Sequence, residues 1–268
     1  MMGGFFVHND LDITMPIYRC IPYSRVIELL EHKAMYFRKV IKWEDTWEIP
    51  SRFFTDNEKN TGVNYFGNSQ VVASNLYGTC WTTTVESDAL WRIYSGDRKE
   101  GVCIQTTVEK LFQSIDFSRF GNGLLDGFIG PIRYEYIGEI GDASFFDEDC
   151  PYYPWNMAAA FIKRNAFRHE NEIRFLVHAP CHKEDGCLLP LKDLNFIDHL
   201  IADPRLGAQD VEAMRLKLGM LGFGDKLAKS TLYDIPDKTY EVVCRVKKMK
   251  PPLNARRWDG IDFKYSGQ

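Results

Sequence analysis

The sequence lacks any run of about 18 apolar residues, the length a helix needs to cross a bilayer, so no membrane-spanning helix is expected. It also lacks a C-x-x-C pair. Its 7 cysteines are scattered and odd in number, which argues against a disulfide framework and for reduced thiols. Cys181, His182 and Cys187, with His178 upstream, match no standard zinc spacing, so no metal site is expected. There is no internal repeat and no low-complexity tract. With a net charge of −4, no chain-wide basic field draws the protein onto nucleic acid or membrane. Met1 to Asn9 has neither the charged n-region nor the apolar h-region of a secretory signal, and a cytoplasmic protein is expected. No linker interrupts the 268 residues. Residues 1–12 read as a loose leader and residues 13–268 as one domain.

A chain of this length buries roughly 70–75% of its unfolded surface and needs no cross-links to fold. Hydrophobic residues at 45% and charged residues at 26% are ordinary for a globular protein and exclude wholesale disorder. The excess lies in aromatics, 14% of the chain, with 6 Trp, 13 Tyr and 18 Phe.

Periodicity predicts mixed elements. Ile13 to Cys20 reads as a strand. Ser24 caps a helix whose stripe is Val26, Ile27, Leu29 and Leu30, and Ala34 to Ile41 alternates as a strand. Residues 44–68 read as a long loop. Val71 to Thr84 suits a buried strand. Ser87 caps a short helix carrying Leu90, Trp91, Ile93 and Tyr94. A strand follows from Gly101 to Thr106, where Thr106 and Glu109 form a capping box for a helix through Ile115. Ile132 to Tyr136 alternates as a strand, Glu139 to Pro154 is an acidic aromatic loop, and Trp155 to Arg168 reads as a helix. Along Glu172 to His178, Ile173, Phe175 and Val177 face one way and Glu172, Arg174 and Leu176 the other. Phe196 to Ala202 is a strand, and Asp210 to Leu221 is a helix with Val211, Met214 and Leu218 on one stripe. Ser230 to Tyr233 and Tyr240 to Val246 close the chain as strands. Strands and helices mix without strict βαβ alternation. The expected class is α+β: a single domain with a mostly antiparallel, bent or split sheet and flanking helices.

Four constellations could carry chemistry. Tyr18-Arg19 ends the first strand, and a guanidinium there suits phosphate or carboxylate. Cys80-Trp81-Thr82-Thr83-Thr84 places hydroxyls beside an indole, a set able to hold a ribose and a planar ring. Trp91 and Tyr94 share a helix face. Glu170, Glu172 and Arg174 share a strand face if the strand begins that early, and their burial unpaired would be costly. Each has a bland counterpart: a surface Arg, a strand end rich in β-formers, a core stripe, a solvated face. Near the C-terminus, residues 241–257 hold Arg245, Lys247, Lys248, Lys250, Arg256 and Arg257 against one acid, a local patch for phosphate or simply a solvated tail.

In chain order, Arg19, then the Thr82–Thr84 cluster, then Glu170-x-Glu172, the set resembles the Arg–Ser–Glu class of ADP-ribosyltransferases. That resemblance implies NAD as substrate. Arg19 and Tyr18 would hold phosphate or ribose. Thr82 and Thr83 would line the cleft, with Trp91 and Tyr94 as its walls. Glu172 would be the catalytic carboxylate and Glu170 would prepare the acceptor. The chemistry is reasonable, because cleaving the nicotinamide–ribose bond develops positive charge that a fixed carboxylate stabilises in the transition state.

A wider resemblance runs from Ile17 to Tyr233. Ile17-Tyr18-Arg19-Cys20, Trp43 to Glu48, Cys80-Trp81-Thr82, Leu90 to Tyr94 with Glu100 to Ile104, and Lys163, Phe167 and Glu170 to Arg174 are similar to segments of a large bacterial family. That family is known only by a domain-of-unknown-function label, and no activity comes with it. Thr46 stands where that family has Pro. Trp43, Trp47, Trp81 and Trp91 all fall in these segments, so an aromatic-walled cleft is expected.

The function expected is thus ADP-ribosyl transfer from NAD to a macromolecular acceptor, nucleic acid or protein, in bacterial antiviral defence or toxin biology. Lys247, Lys248, Lys250, Arg256 and Arg257 are candidates for contact with nucleic acid. Two alternatives stand beside it: a metal-dependent nuclease or hydrolase using His169, Glu170 and Glu172, and a non-catalytic module that binds nucleotide or protein in the cleft.

Overall fold

A computed structural model describes residues 5–45, 48, 74–96, 99–116, 126–135, 159–179 and 182–235. The expected strand at 240–246, the basic stretch 241–257, the acidic loop 139–154 and most of the loop 44–68 lie outside the described residues. Residues up to Leu232 form one compact unit, and residues 233–268 group separately.

The strands are β1 (Phe5–Val7), β2 (Pro16–Pro22), β3 (Ala34–Lys39), β4 (Leu76–Thr82), β5 (Gly101–Thr107), β6 (Asp126–Pro131), β7 (Arg133–Glu135), β8 (Ile162–Arg164), β9 (Glu172–His178), β10 (Gly186–Pro190), β11 (His199–Ala202) and β12 (Leu227–Lys229). The α-helices are α1 (Tyr23–His32), α2 (Asp88–Ser95), α3 (Val108–Ser114) and α4 (Ala208–Met220). Ten strands make one sheet in the order β1-β6-β9-β4-β2-β5-β11-β12, with β10 joined through β3 to β4. Only β1–β6 and β11–β12 run parallel within it, and β7–β8 is a separate parallel pair. The mixed class and the mostly antiparallel sheet agree with the sequence.

β4 is where the sheet splits. One of its edges pairs with β9 along all seven residues, from Leu76↔His178 to Thr82↔Glu172. Its other edge is shared: β3 takes Gly78 and Tyr77, and β2 takes Thr82 alone, opposite Tyr18. The next hydrogen-bonded pair in that register, Cys20 opposite Cys80, is not made. A gap opens between β2 and β4 at this point.

The faces follow strand alternation. Ile173, Phe175 and Val177 of β9 join the main core with Ile17, Trp81, Ile104 and the apolar stripes of α1 and α4. Each such fully buried side chain contributes about 1.5–3 kcal/mol. Leu176 faces the other way, into a second core with Leu76, Phe128 and Phe161, and Trp43 packs against it. Gly78 permits that packing. A Cβ there would stand 2.6 Å from the Trp43 ring and 2.7 Å from Leu176, distances a side chain does not reach without displacement.

Several local expectations are corrected. Ser24 does not cap α1: the helix starts at Tyr23, directly after β2, with Pro22 at the N-cap. Thr107 rather than Thr106 caps α3, and its hydroxyl accepts from the Lys110 N–H, because Thr107, opposite Pro16, is the last position of the β2–β5 ladder. Ser87 does occupy the N-cap of α2, but its side chain makes no capping bond. The helix expected over 155–168 is absent from its described part, which is a short 3-10 turn, strand β8 and a 3-10 stretch over Asn165–Glu170. Pairing of β8 with β7 overrides the apolar pattern there. Ser230 to Tyr233 is not a strand; the strand in that region is β12, ending at Lys229. Asp210 to Leu221 is helical as read, with Val211, Met214 and Leu218 buried.

Candidate functional site

The charged residues of Glu170-x-Glu172-x-Arg174 are buried, and none of them is left alone. Lys163, brought in by β8, sits between three carboxylates: Nζ is 3.0 Å from Glu48, 2.6 Å from Glu170 and 3.1 Å from Glu172. Arg174 lies below. Its Nε donates to Glu172 Oε1 at 2.7 Å, one Nη reaches Glu48 at 3.2 Å, and the other donates to the Ala160 carbonyl. The Trp43 ring covers the guanidinium at 4.4 Å. Three carboxylates against two cations leave one negative charge uncompensated within the cluster.

Glu172 is the hub, with 3% of its surface exposed. Burial alone would push its carboxyl up. Arg174, then Lys163, and a hydrogen bond from the Cys80 thiol reverse this and hold it down at about 2. Burial would likewise lower Lys163, but Glu172, Glu48 and Glu170 raise it well above the usual range. The Glu172 N–H donates to the Tyr134 hydroxyl at 2.8 Å, which fixes the start of β9. Burial pushes that phenol up to about 12, so it stays protonated at neutral pH.

Glu170 is placed by a different device. Asn171, at φ 41, ends the 3-10 stretch in the left-handed region that Asn tolerates. The turn is tied to the end of β4. Thr82 Oγ1 donates to the Glu170 carbonyl at 2.5 Å, the Thr83 N–H donates to the Asn171 carbonyl at 3.1 Å, and Asn171 Nδ2 donates to Thr84 Oγ1 at 3.0 Å. The hydroxyl cluster thus acts as scaffold for the Glu-x-Glu turn. Glu170 Oε2 is held by Lys163, while Oε1 takes no hydrogen bond among the described residues.

A cavity of about 190 Å³ opens at the gap between β2 and β4. Arg19, Cys80, Trp81, Thr82, Tyr94, Glu170 and Glu172 are among the residues that line it. Alternation puts Tyr18, Thr82 and Glu172 on one face and Arg19 and Trp81 on the other. Both faces reach the cavity because the ladder fails there. Arg19 lies 5.9 Å from the Trp81 ring and has no ion pair or hydrogen bond among the described residues. Burial pulls its guanidinium down to about 10, which leaves it charged at neutral pH. The buried Trp81 indole N–H also lacks a partner among the described residues. Arg19 and Ile21 continue into a larger groove of about 910 Å³ between α1, β3 and β10.

The sequence therefore placed Arg19, Tyr18, Thr82, Tyr94, Glu170 and Glu172 around one cavity, and the structure brings these six together. Thr83 is half-buried and does not line it. Trp91 does not wall it either. The indole is 1% exposed and packs with Tyr18 and Cys103 as core, so the stripe reading fits it and the cleft reading does not. Trp43 covers Arg174 and Trp47 lies outside the described residues, so among the described indoles of these segments only Trp81 borders the cavity. Sequence reasoning set Arg174 on one face with Glu170 and Glu172 but missed Glu48, Lys163 and Tyr134 as members of the site. The available signal was the cost of burying two carboxylates and a guanidinium, which demands another cation.

No family model matches the chain, and no curated protein matches it. Among solved structures it is similar to Thermus sp. 2.9 DarT in complex with NAD+, with a TM-score of 0.37 at 10% identity over 82% of this chain and 96% of that one. The same Thermus protein in complex with ADP-ribosylated ssDNA gives a TM-score of 0.35 at 10% identity, over 78% and 90% of the two chains. Its complex with carba-NAD+ gives 0.34 at 10% identity, over 79% and 92%. Among the described residues no helix is long and apolar enough to cross a membrane.

Proposed function

We propose that this chain is an NAD-dependent ADP-ribosyltransferase-like protein acting on a macromolecular acceptor, in keeping with a role in toxin or antiviral biology. One observation carries the reading. Arg19, which has no anionic partner among the described residues, and the Glu170-x-Glu172 pair line the same cavity, at the split between β2 and β4. A half-buried guanidinium with no acid beside it among the described residues is suited to an anionic ligand. Phosphate is such a ligand. The cavity is smaller than the roughly 300–1,000 Å³ of whole-ligand pockets, so it takes one end of a dinucleotide, and the groove sharing Arg19 has room for the remainder.

In this reading the ribose lies against the carboxylates. Both Glu172 oxygens already accept from cations, so its charge acts through space on the developing oxocarbenium, with Lys163 and Arg174 fixing its position. Glu170 Oε1, unbonded among the described residues, can accept from a ribose or acceptor hydroxyl. Tyr94, whose phenol is raised by burial and by the carboxylates, stays a neutral wall. NAD+ and single-stranded DNA, present in the Thermus structures, are the first substrates to try. The basic residues Lys247, Lys248, Lys250, Arg256 and Arg257 belong to this reading as acceptor contacts.

The clamped state of Glu172 also supports a second reading, a nucleotide-binding module in which Glu172 is structural. One assay separates the two: nicotinamide release from NAD+, with single-stranded DNA or mixed protein as acceptor. Folding of each variant is checked by circular dichroism. Wild type releases nicotinamide, and Glu170→Gln and Glu172→Gln each lose at least about 100-fold. Release that is equal in all three sinks the transferase reading. Saturable nucleotide binding with no release by wild type favours the module.

A further inference from the structure

The gap between β2 and β4 also exposes a thiol whose neighbour across the other edge of β2 is another thiol. Cys20 stands directly opposite Cys103 in the β2–β5 ladder. The kind of pair follows from the hydrogen bonds. The Tyr23 N–H donates to the Glu100 carbonyl in the same register, so bonded pairs fall at residues 21, 19 and 17 of β2 and open pairs at 22, 20, 18 and 16. The prolines confirm this phase, since Pro16 and Pro22 both occupy positions that need no N–H in the ladder. Cys20 and Cys103 therefore form an open pair, the kind in which Cα atoms approach to about 4.5 Å and side chains lie closest. That spacing is within the about 4.4–6.8 Å that a disulfide spans. Both residues are free thiols.

Their exposure differs. Cys103 is sealed in the small cluster with Tyr18 and Trp91, whereas Cys20 is half-buried and lines the cavity. The neighbouring Cys20 thiol, together with burial, holds the Cys103 thiol well above its usual range. A third thiol, Cys80, lines the same cavity on the far side of the gap. It is already engaged, donating to Glu172.

We propose that Cys20 and Cys103 form an oxidisable dithiol in which Cys20, the cavity thiol, meets a hydroperoxide first and Cys103 resolves it. In the first step the Cys20 sulfur attacks the peroxide O–O bond. A sulfenic acid forms and the peroxide's other half leaves as water or an alcohol. In the second step the Cys103 sulfur attacks the Cys20 sulfur. The S–S bond forms and the hydroxyl leaves as water with the Cys103 proton. Two thiols lose two electrons and two protons, and one peroxide takes them up. Because β2 and β5 are already paired over seven residues, the bridge forms without moving the strands. The outcome is protection: Cys20 stops at a reducible disulfide and does not proceed to the irreversible acids. This holds whatever ligand the cavity takes.

The test treats the full chain with a modest excess of hydrogen peroxide, blocks remaining thiols, and maps peptides by mass spectrometry with and without a reductant. The expected result is a Cys20–Cys103 linked peptide, short of two hydrogens, restored fully by the reductant, with Cys80 still blockable. In Cys103→Ala the same treatment drives Cys20 to sulfinic acid that the reductant does not restore. A Cys20–Cys80 link, oxidation of Cys80 ahead of Cys20, sulfinic acid at Cys20 in the wild type, or no oxidation at Cys20 each overturns the proposal. The wild-type map decides the matter even if the alanine variant does not fold.

Discussion

Replacing Lys163 by Met removes the ammonium that three carboxylates share while keeping most of the side chain's apolar volume. Arg174 remains, bonded to Glu172 and Glu48, but Glu170 loses its ion-pair partner among the described residues, and the cluster is left with two uncompensated negative charges. All three carboxylates are largely buried, so water reaching them through the cavity makes up only part of the loss. Breaking a buried ion pair from one side costs about 3–5 kcal/mol. For a domain of this size that is a fall in melting temperature of about 6–20 °C. The measurement is thermal unfolding followed by circular dichroism near neutral pH, on wild type, Lys163→Met and Lys163→Met with Glu170→Gln. The double variant regains part of the loss, because the carboxylate that lost its partner is now neutral. A melting temperature for Lys163→Met within about 2 °C of wild type would refute the reasoning, since it would mean that the cluster is hydrated or that the carboxylates take up protons without cost.

Three further outcomes follow from the same geometry. Glu172 has its carboxyl at about 2 when folded against an ordinary 4.5, so its contribution is present above pH 4.5 and is lost as pH falls toward 2. This is up to about 3 kcal/mol, visible as an acid-side loss of denaturant stability that Glu172→Gln removes. Arg19→Met leaves the melting temperature level or raises it, because Arg19 has no ion pair to lose among the described residues; a loss of stability above about 1 kcal/mol would contradict this. Trp91→Ala costs about 3–5 kcal/mol as a core truncation, and an unchanged melting temperature would return Trp91 to the cleft wall.

How much of this was legible depends on the range of the interaction. Strand β9 could be read residue by residue, since alternation alone separates Ile173, Phe175 and Val177 from Glu172, Arg174 and Leu176. Helix α4 could be read for the same reason at helical period. Caps were harder. Thr106 and Thr107 are adjacent and chemically alike, and only the point where the β2–β5 ladder ends, at Thr107 opposite Pro16, decides which of them caps the helix. The helix expected across 155–168 failed because its apolar pattern serves β8 and two 3-10 turns, an outcome set by pairing with β7. At the site, residue types and chain order pointed to Arg19 and Glu172. They did not reveal that the two reach one cavity from opposite faces of a split sheet, nor that Lys163 joins Glu48 to Glu170 and Glu172. The meetings of Arg19 and of Glu48 with this turn span long separations, and Lys163, 7 and 9 residues before Glu170 and Glu172, reaches them because it lies on β8 and not on a helix. The aromatic excess likewise misled: the indole of Trp91 is core, and that of Trp43 is a lid on Arg174.

The most direct test of the central claim is calorimetric titration of NAD+ into the wild type and into Arg19→Met, with melting temperatures measured on the same samples. The account predicts saturable binding to the wild type, weakened at least tenfold in Arg19→Met, about 1.4 kcal/mol or more, with no loss of thermal stability. No binding to the wild type, or equal binding to both proteins, would contradict it.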